Sequence, residues 1–403
     1  MTEKTHVHPS DVRGFSRLAV DAMLGLTDLV EAMHHNIGRA PGIFGAPTEA
    51  PTSGITGLVY GRIRGVTRLV GGGIDTLLAP LMPLPGERRS SPGRESMLAA
   101  LNGVLGDHLA ASNNPLAISM RLRRDGQSLE LEGQALAAAI PQPSGKILLL
   151  VHGLCSNDLH WNRQGHDHGA ALAADLGYTH IYLHYNTGLH ISTNGRAFAD
   201  MIEALLHCWP VPVEEVVIIG YSMGGLVSRS ACHYSTVAGH DWLRRLRKIV
   251  FLGTPHHGVP LERGGNWVNI ILGVSPYTAA LARLGKIRSA GITDLRYGNL
   301  LNEDWENWDR FAHFSDRRRS VPLPNGVQWY TIGATTGKTA DDRSDPLFGD
   351  GLVPLHSALG YHKNPSLTLP FRESQQWIGY DMNHLDLLHR REVYNQMRQW
   401  LAS

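Results

Sequence analysis

Gly220-Tyr221-Ser222-Met223-Gly224-Gly225 is the stretch on which the reading of this chain turns. Before it, Val216-Val217-Ile218-Ile219 is an unbroken apolar run of the kind found in strands buried on both faces. After it, Leu226 to Tyr234 reads as helix. Strand, G-x-S-x-G turn and helix together form a nucleophile elbow. The turn is so sharp that side chains two residues either side of the serine would collide, hence the glycines. The result is an exposed serine Oγ above the sheet, backed by the positive end of a helix. In a chain with 44 glycines the bare pattern is weak evidence, so the segments around it must carry the reading.

Three further features fall in the order that this kind of serine chemistry requires. Upstream, Lys146-Ile147-Leu148-Leu149-Leu150-Val151 reads as a second buried strand and ends in His152-Gly153-Leu154. The loop after such a strand offers one backbone N–H to a developing oxyanion, and the residue after the nucleophile offers another. These are assigned to Leu154 and Met223, with Gly153 letting the backbone approach substrate; His152, Gly153, Tyr221 and His256 are taken as substrate-binding. Downstream, Gly349-Asp350-Gly351-Leu352-Val353-Pro354 follows a strand-like run from Val327 to Ile332 and supplies the acid, Asp350. Asp341, Asp342 and Asp345 are rivals in a polar run. Met382-Asn383-His384-Leu385-Asp386 opens the last helical segment and supplies the base, His384, with His356, His362 and His389 as alternatives. A serine hydroxyl is a poor nucleophile until a histidine takes its proton, and a carboxylate fixes the histidine tautomer.

Together with Gly253-Thr254-Pro255-His256-His257-Gly258, these motifs resemble those of bacterial lipases and of the GPI-inositol-deacylase-like branch of the α/β hydrolases, over roughly residues 146 to 403. The resemblance implies an α/β-hydrolase fold: a mostly parallel sheet flanked by helices, here with an N-terminal helical extension and a helical cap insertion. It also implies ester hydrolysis through an acyl-enzyme on Ser222, with Asp350 and His384 completing the triad and no organic cofactor. Some such lipases hold structural calcium with the aspartate two residues after the base and a glutamine four residues further on. Asp386 and Arg390 stand at those places. A cation there disfavours calcium, so no metal is expected and Asp386 reads as a carboxylate at a helix N-terminus.

Composition sets the outer bounds. The 403 residues are 42% hydrophobic and 18% charged with a net charge of +1, which favours a globular protein and gives no bulk attraction for nucleic acid. Three cysteines, Cys155, Cys208 and Cys232, make no disulfide framework and fit a reducing, cytoplasmic setting. Cys155, beside the expected oxyanion loop, reads as a small buried side chain rather than a reactive thiol.

Organisation along the chain gives four segments. Residues 1–115 form the helical extension: an amphipathic helix from Val12 to Met33, a Pro/Gly/Thr linker over 41–54, a second helix over 55–78, and an exposed loop over 83–95. Gly57, Gly61 and Gly65, four apart, point to close packing on the body or on a second copy, as in a homodimer. Arg62, Arg64 and Arg68 leave peripheral membrane contact as the other reading. Residues 116–258 start the hydrolase core with a hairpin turning at Asp125-Gly126, then alternate strand and helix. Residues 259–322 are the cap, carrying Trp267, Ile270, Leu281, Trp305 and Trp308, and residues 323–403 complete the core. The expected substrate is an acyl ester, a small molecule or a lipid. The competing class is a non-hydrolytic lipid- or partner-binding protein on the same scaffold, whose mark would be a broken triad. Acyl transfer and thioester hydrolysis use the same three groups and stay open.

Overall fold

The computed structural model describes residues 8–37, 61–70, 72, 75, 90–259, 288–307, 309, 315–339 and 349–403. They belong to two compact units, one comprising Met1–Ser91 with Leu109–Ala117, the other Pro92–His108 with Ile118–Ser403.

In the smaller unit, α1 (Pro9–Ile37) is the expected amphipathic helix. Arg13 and Arg17 both grip Asp75, Arg13 at 2.7 Å, and their hydrogen bonds pull the Asp75 carboxyl well below the usual carboxylate range. Gly14 lies so close to Leu116 that a Cβ there would overlap it. Residues 61–70 are helical. Among the described residues, nothing comes within 4 Å of where a Cβ would stand at Gly61 or Gly65. Val66, Leu69 and Val70 of the same helix are exposed. The linker over 41–54 and Gly57 lie outside the described residues.

The larger unit is built on an eight-stranded sheet. Its strands are β1 (Arg121–Arg124), β2 (Gln127–Ser128), β3 (Lys146–Val151), β4 (Thr179–His184), β5 (Glu215–Tyr221), β6 (Leu246–Leu252), β7 (Gln328–Ala334) and β8 (Gln376–Gly379). Their order across the sheet is β8-β7-β6-β5-β3-β4-β1-β2. From β4 to β8 neighbouring strands run parallel. The β1–β2 hairpin turns at Asp125 and Gly126, both at positive φ, and joins β4 antiparallel.

Alternation along the strands divides the core. Leu149 and Ile218 face α5 (Ile191–Cys208) and α6 (Met223–Ala238), where Phe198, Ile202 and Leu226 are buried. Leu148, Leu150, Val217 and Ile219 face α4 (His168–Leu176) and α8 (Arg391–Ala402), against Leu172, Val393 and Met397. Each fully buried aliphatic side chain contributes about 1.5–3 kcal/mol, and the parallel strands are apolar on both faces for this reason. Between β2 and β3 lies a short helix, α3 (Gly133–Ala139), which buries Leu136. Among the described residues no helix is long and apolar enough to cross a membrane.

Two sequence expectations need correction. A helix, α2 (Pro92–Ala111), begins within the expected 83–95 loop, with proline at its first position, where a missing N–H costs nothing. Its first seventeen residues, Pro92–His108, also group with the sheet-bearing unit, inside the span assigned to the extension. The cause is close packing: a Cβ at Gly103 would overlap Cys155 Sγ, and one at Gly188 would overlap the Asn102 carbonyl. Of the 259–322 insertion, the part with Trp267, Ile270, Leu281 and Trp308 lies outside the described residues. The described part includes α7 (Ala290–Asp294), whose buried Asp294 accepts the Ile191 N–H at 2.8 Å and meets His190 at 3.0 Å. Trp305 stacks on His190 at 3.6 Å.

Candidate active site

Register brings the loops together. Val151 of β3 pairs with Gly220 of β5, and Tyr221 pairs with Leu252 of β6, so three strands end level and their following loops share one rim. Ser222 sits on that rim between β5 and α6 at φ 53°, ψ −124°. This left-handed backbone is strained for a serine, by about 1–3 kcal/mol, and persists only where the surroundings impose it. Here they do. The Ser222 N–H donates to the Leu252 carbonyl at 2.8 Å. A Cβ at Gly220 would stand 2.6 Å from Gly225 Cα, one at Gly224 would overlap the Val151 carbonyl oxygen, and one at Gly225 would overlap Thr254. Three glycines thus clear the space that the serine turn occupies.

Asp350 and His384 meet 34 positions apart in the chain. Asp350 Oδ2 lies 2.6 Å from His384 Nδ1, while Oδ1 accepts the Leu352 and Val353 N–H groups at 3.0 and 2.8 Å. Gly349 and Gly351, both at positive φ, make the tight loop that buries this carboxylate. With Nδ1–H directed at the carboxylate, the other ring nitrogen, Nε2, is left as the proton acceptor. The His384 turn, a 3₁₀ segment over His384–Leu388, is pinned from several sides. The Tyr221 hydroxyl donates to the His384 carbonyl at 3.2 Å, and its ring lies 4.9 Å from the imidazole. His168 Nε2 holds the Leu387 carbonyl at 3.0 Å. A Cβ at Gly253 would stand 2.9 Å from His384 Cε1, so glycine there makes room for the ring. Asp386 accepts the Asn383 N–H at 2.8 Å, capping the same turn.

Ser222 and His384 line one cleft of about 750 Å³ that opens to solvent, together with Gly153, Leu154 and Tyr221. Met223 opens α6, so its N–H has no carbonyl partner inside the helix. Much of the lining is apolar, with Pro255, Val259, Leu295, Leu352, Val353 and Leu388 among it. The loop after β3 adds Ser156, His160 and Arg163, which the sequence reading missed. Asp341, Asp342 and Asp345 lie outside the described residues.

His152 and His256, expected at the substrate, are elsewhere. His152 is buried, stacked on Tyr185 at 4.4 Å with Nδ1 3.0 Å from the Gly153 carbonyl. His256 is buried edge-on to Phe251 at 4.7 Å, with the Arg229 guanidinium 3.4 Å from its Nδ1. Both follow strand ends closely in sequence, yet the chain turns their rings into the core. Cys155, also buried, has its thiol pushed up to about 12 by burial.

Burial holds His152, His168 and His257 down to about 3 and His256 well below its ordinary value. The unfolded chain protonates these rings near 6.5, so below that pH it binds protons the native state does not, and stability falls with pH. The loss sets in below about pH 6.5 and grows as the pH falls towards 3. Melting curves from pH 7 to pH 4 are expected to show a steep fall in Tm, whereas a flat Tm over that range would contradict this burial.

A family model described as a domain of unknown function (DUF7379) matches residues 121–295. No curated protein matches the chain. Among solved structures, a mature Bacillus licheniformis lipase is similar at 18% identity over 65% of this chain and 94% of its own, with a TM-score of 0.41. A Pyrobaculum calidifontis esterase is similar at 13% identity over 65% of this chain and 76% of its own, TM-score 0.38. A Legionella pneumophila phospholipase is similar at 17% identity over 53% of this chain and 45% of its own, TM-score 0.34. By its own strand order and its serine turn between β5 and α6, the chain has the α/β-hydrolase fold.

Proposed function

We propose that this protein is a serine hydrolase of carboxylic esters, acting through an acyl-enzyme on Ser222. The observation that carries the reading is the pairing of a buried Asp350 with His384 at 2.6 Å beside a strained Ser222 in the same cleft. In this reading His384 Nε2 takes the Ser222 proton as Oγ attacks the acyl carbonyl. The Leu154 and Met223 N–H groups receive the negative charge that builds on the carbonyl oxygen. Asp350 keeps Nδ1–H in place and stabilises the imidazolium without itself being protonated. His384 then gives the proton to the departing alcohol, and water repeats the sequence to free the acid. The apolar lining of the cleft suits an acyl chain.

Exposed Val66, Leu69 and Val70, on the helix that carries Arg62 and Arg68, suit contact of that segment with a lipid surface. The test of the enzymatic reading is rapid mixing with nitrophenyl acyl esters. It predicts a burst of nitrophenol close to the enzyme concentration, then slower turnover, as acyl-enzyme accumulates. No release above the buffer rate for any chain length would overturn it.

A further inference from the structure

The cleft holds a permanent positive charge that the proposed triad does not use. Arg163 lines it beside Ser156 and His160. Its Nε is buried with no hydrogen-bond partner, and no carboxylate pairs with it among the described residues. Nor does any aspartate or glutamate among the described residues line the cleft; Asp350 is engaged by His384. Arg163 is half-buried, and a guanidinium with a buried, unpartnered Nε and no counter-ion in the cleft suits an anionic ligand.

The segment carrying Arg163 is prebuilt. Arg163 lies on a two-residue ribbon, Asn162–Arg163 against His166–Asp167, closed by Gln164 and Gly165 at positive φ. Just before it, Asp158 is buried and bonded to Arg123 at 3.1 Å. Asn157 caps the turn through the Leu159 N–H at 3.0 Å. His160 lies between Ser156 Oγ at 2.9 Å and Ser96 Oγ at 3.1 Å. Burial and the Arg163 charge keep the His160 ring below its ordinary value, hence neutral beside the arginine. The backbone that carries Arg163 is therefore set before any ligand arrives.

From this juxtaposition we propose that Arg163 forms an anion subsite for the alcohol portion of the substrate, so that the preferred esters are acyl esters of a phosphorylated alcohol. The apolar part of the lining suits the acyl chain, and Ser156, His160 and Arg163 suit a polar alcohol portion. A guanidinium matches phosphate oxygens in a bidentate way. This inference rests on the ester-hydrolase reading and adds a substrate class to it.

The experiment compares kcat/KM for a monoacylglycerol phosphate with that for the monoacylglycerol of the same chain length, in wild type, Arg163→Gln and Arg163→Lys. Wild type is expected to favour the phosphate ester. Arg163→Gln should lower the ratio of the two values roughly 10- to 100-fold, whatever happens to the neutral ester's own rate, and Arg163→Lys should restore part of it. Raising the salt concentration should also lower the wild-type ratio. Melting curves matching wild type confirm that the variants fold. An equal ratio in wild type and Arg163→Gln would overturn the subsite while leaving the hydrolase reading intact. Hydrolysis of neither ester, nor of nitrophenyl esters, would end both. Inhibition of nitrophenyl ester hydrolysis separates the anion's source. Glycerol phosphate inhibiting more strongly than inorganic phosphate, with Arg163 required, supports the assignment. Equal inhibition by the two would mark a free-anion site and overturn it.

Discussion

Replacing Ser222 with alanine is expected to lower kcat on nitrophenyl esters by about 10⁶-fold, the scale at which a serine hydrolase loses its nucleophile. The alanine fits the same turn, because the strain belongs to the backbone at φ 53° and not to the hydroxyl. The fold should therefore persist, and a circular dichroism spectrum like that of wild type checks this. Asp350→Asn should cost about 10⁴-fold. Its side-chain oxygen still accepts the Leu352 and Val353 N–H groups, but an amide facing His384 Nδ1 favours the wrong imidazole tautomer. Residual rates within tenfold of wild type for either variant would contradict the roles given to these residues.

Gly224→Ala should be nearly as damaging for a different reason. The new methyl group would overlap the Val151 carbonyl oxygen, a backbone atom at the end of β3, and cannot be relieved by turning a side chain. Either β3 or α6 must shift, which is expected to cost about 3 kcal/mol or more in urea unfolding. Any shift would also separate the Leu154 loop from the first turn of α6, so activity should fall even in the folded fraction. Gly239→Ala is the matched control. Gly239 ends α6 at φ 74° with open space around it, so only the backbone penalty applies, about 1 kcal/mol. Equal losses for the two would show that the crowding at Gly224 is relieved more easily than this packing implies.

The sheet from residue 146 to residue 252 was legible because parallel strands covered on both faces read as unbroken apolar runs. Lys146–Val151, Glu215–Tyr221 and Leu246–Leu252 begin and end within a residue or so of their expected limits. The serine turn was legible because three glycines are compulsory there. α2 was not, since Ala99, Ala100, Leu101, Asn102 and Gly103 are buried together and leave no apolar stripe to read. His152 and His256 were misplaced because adjacency to a loop does not say which way a ring turns; stacking on Tyr185 and packing on Phe251 decide it. Arg163 carried no local signal at all. Its place in the cleft depends on a hairpin of two-residue strands and on Arg123, forty positions earlier, holding Asp158.

The most direct test of the central claim is intact-protein and peptide mass spectrometry after treatment with a fluorophosphonate. Reaction through an activated serine predicts one phosphonyl adduct per chain, located on the peptide containing Ser222, slowed sharply in Asp350→Asn and absent in Ser222→Ala. A folded protein that takes up no adduct, or one labelled equally well after Ser222→Ala, would contradict it.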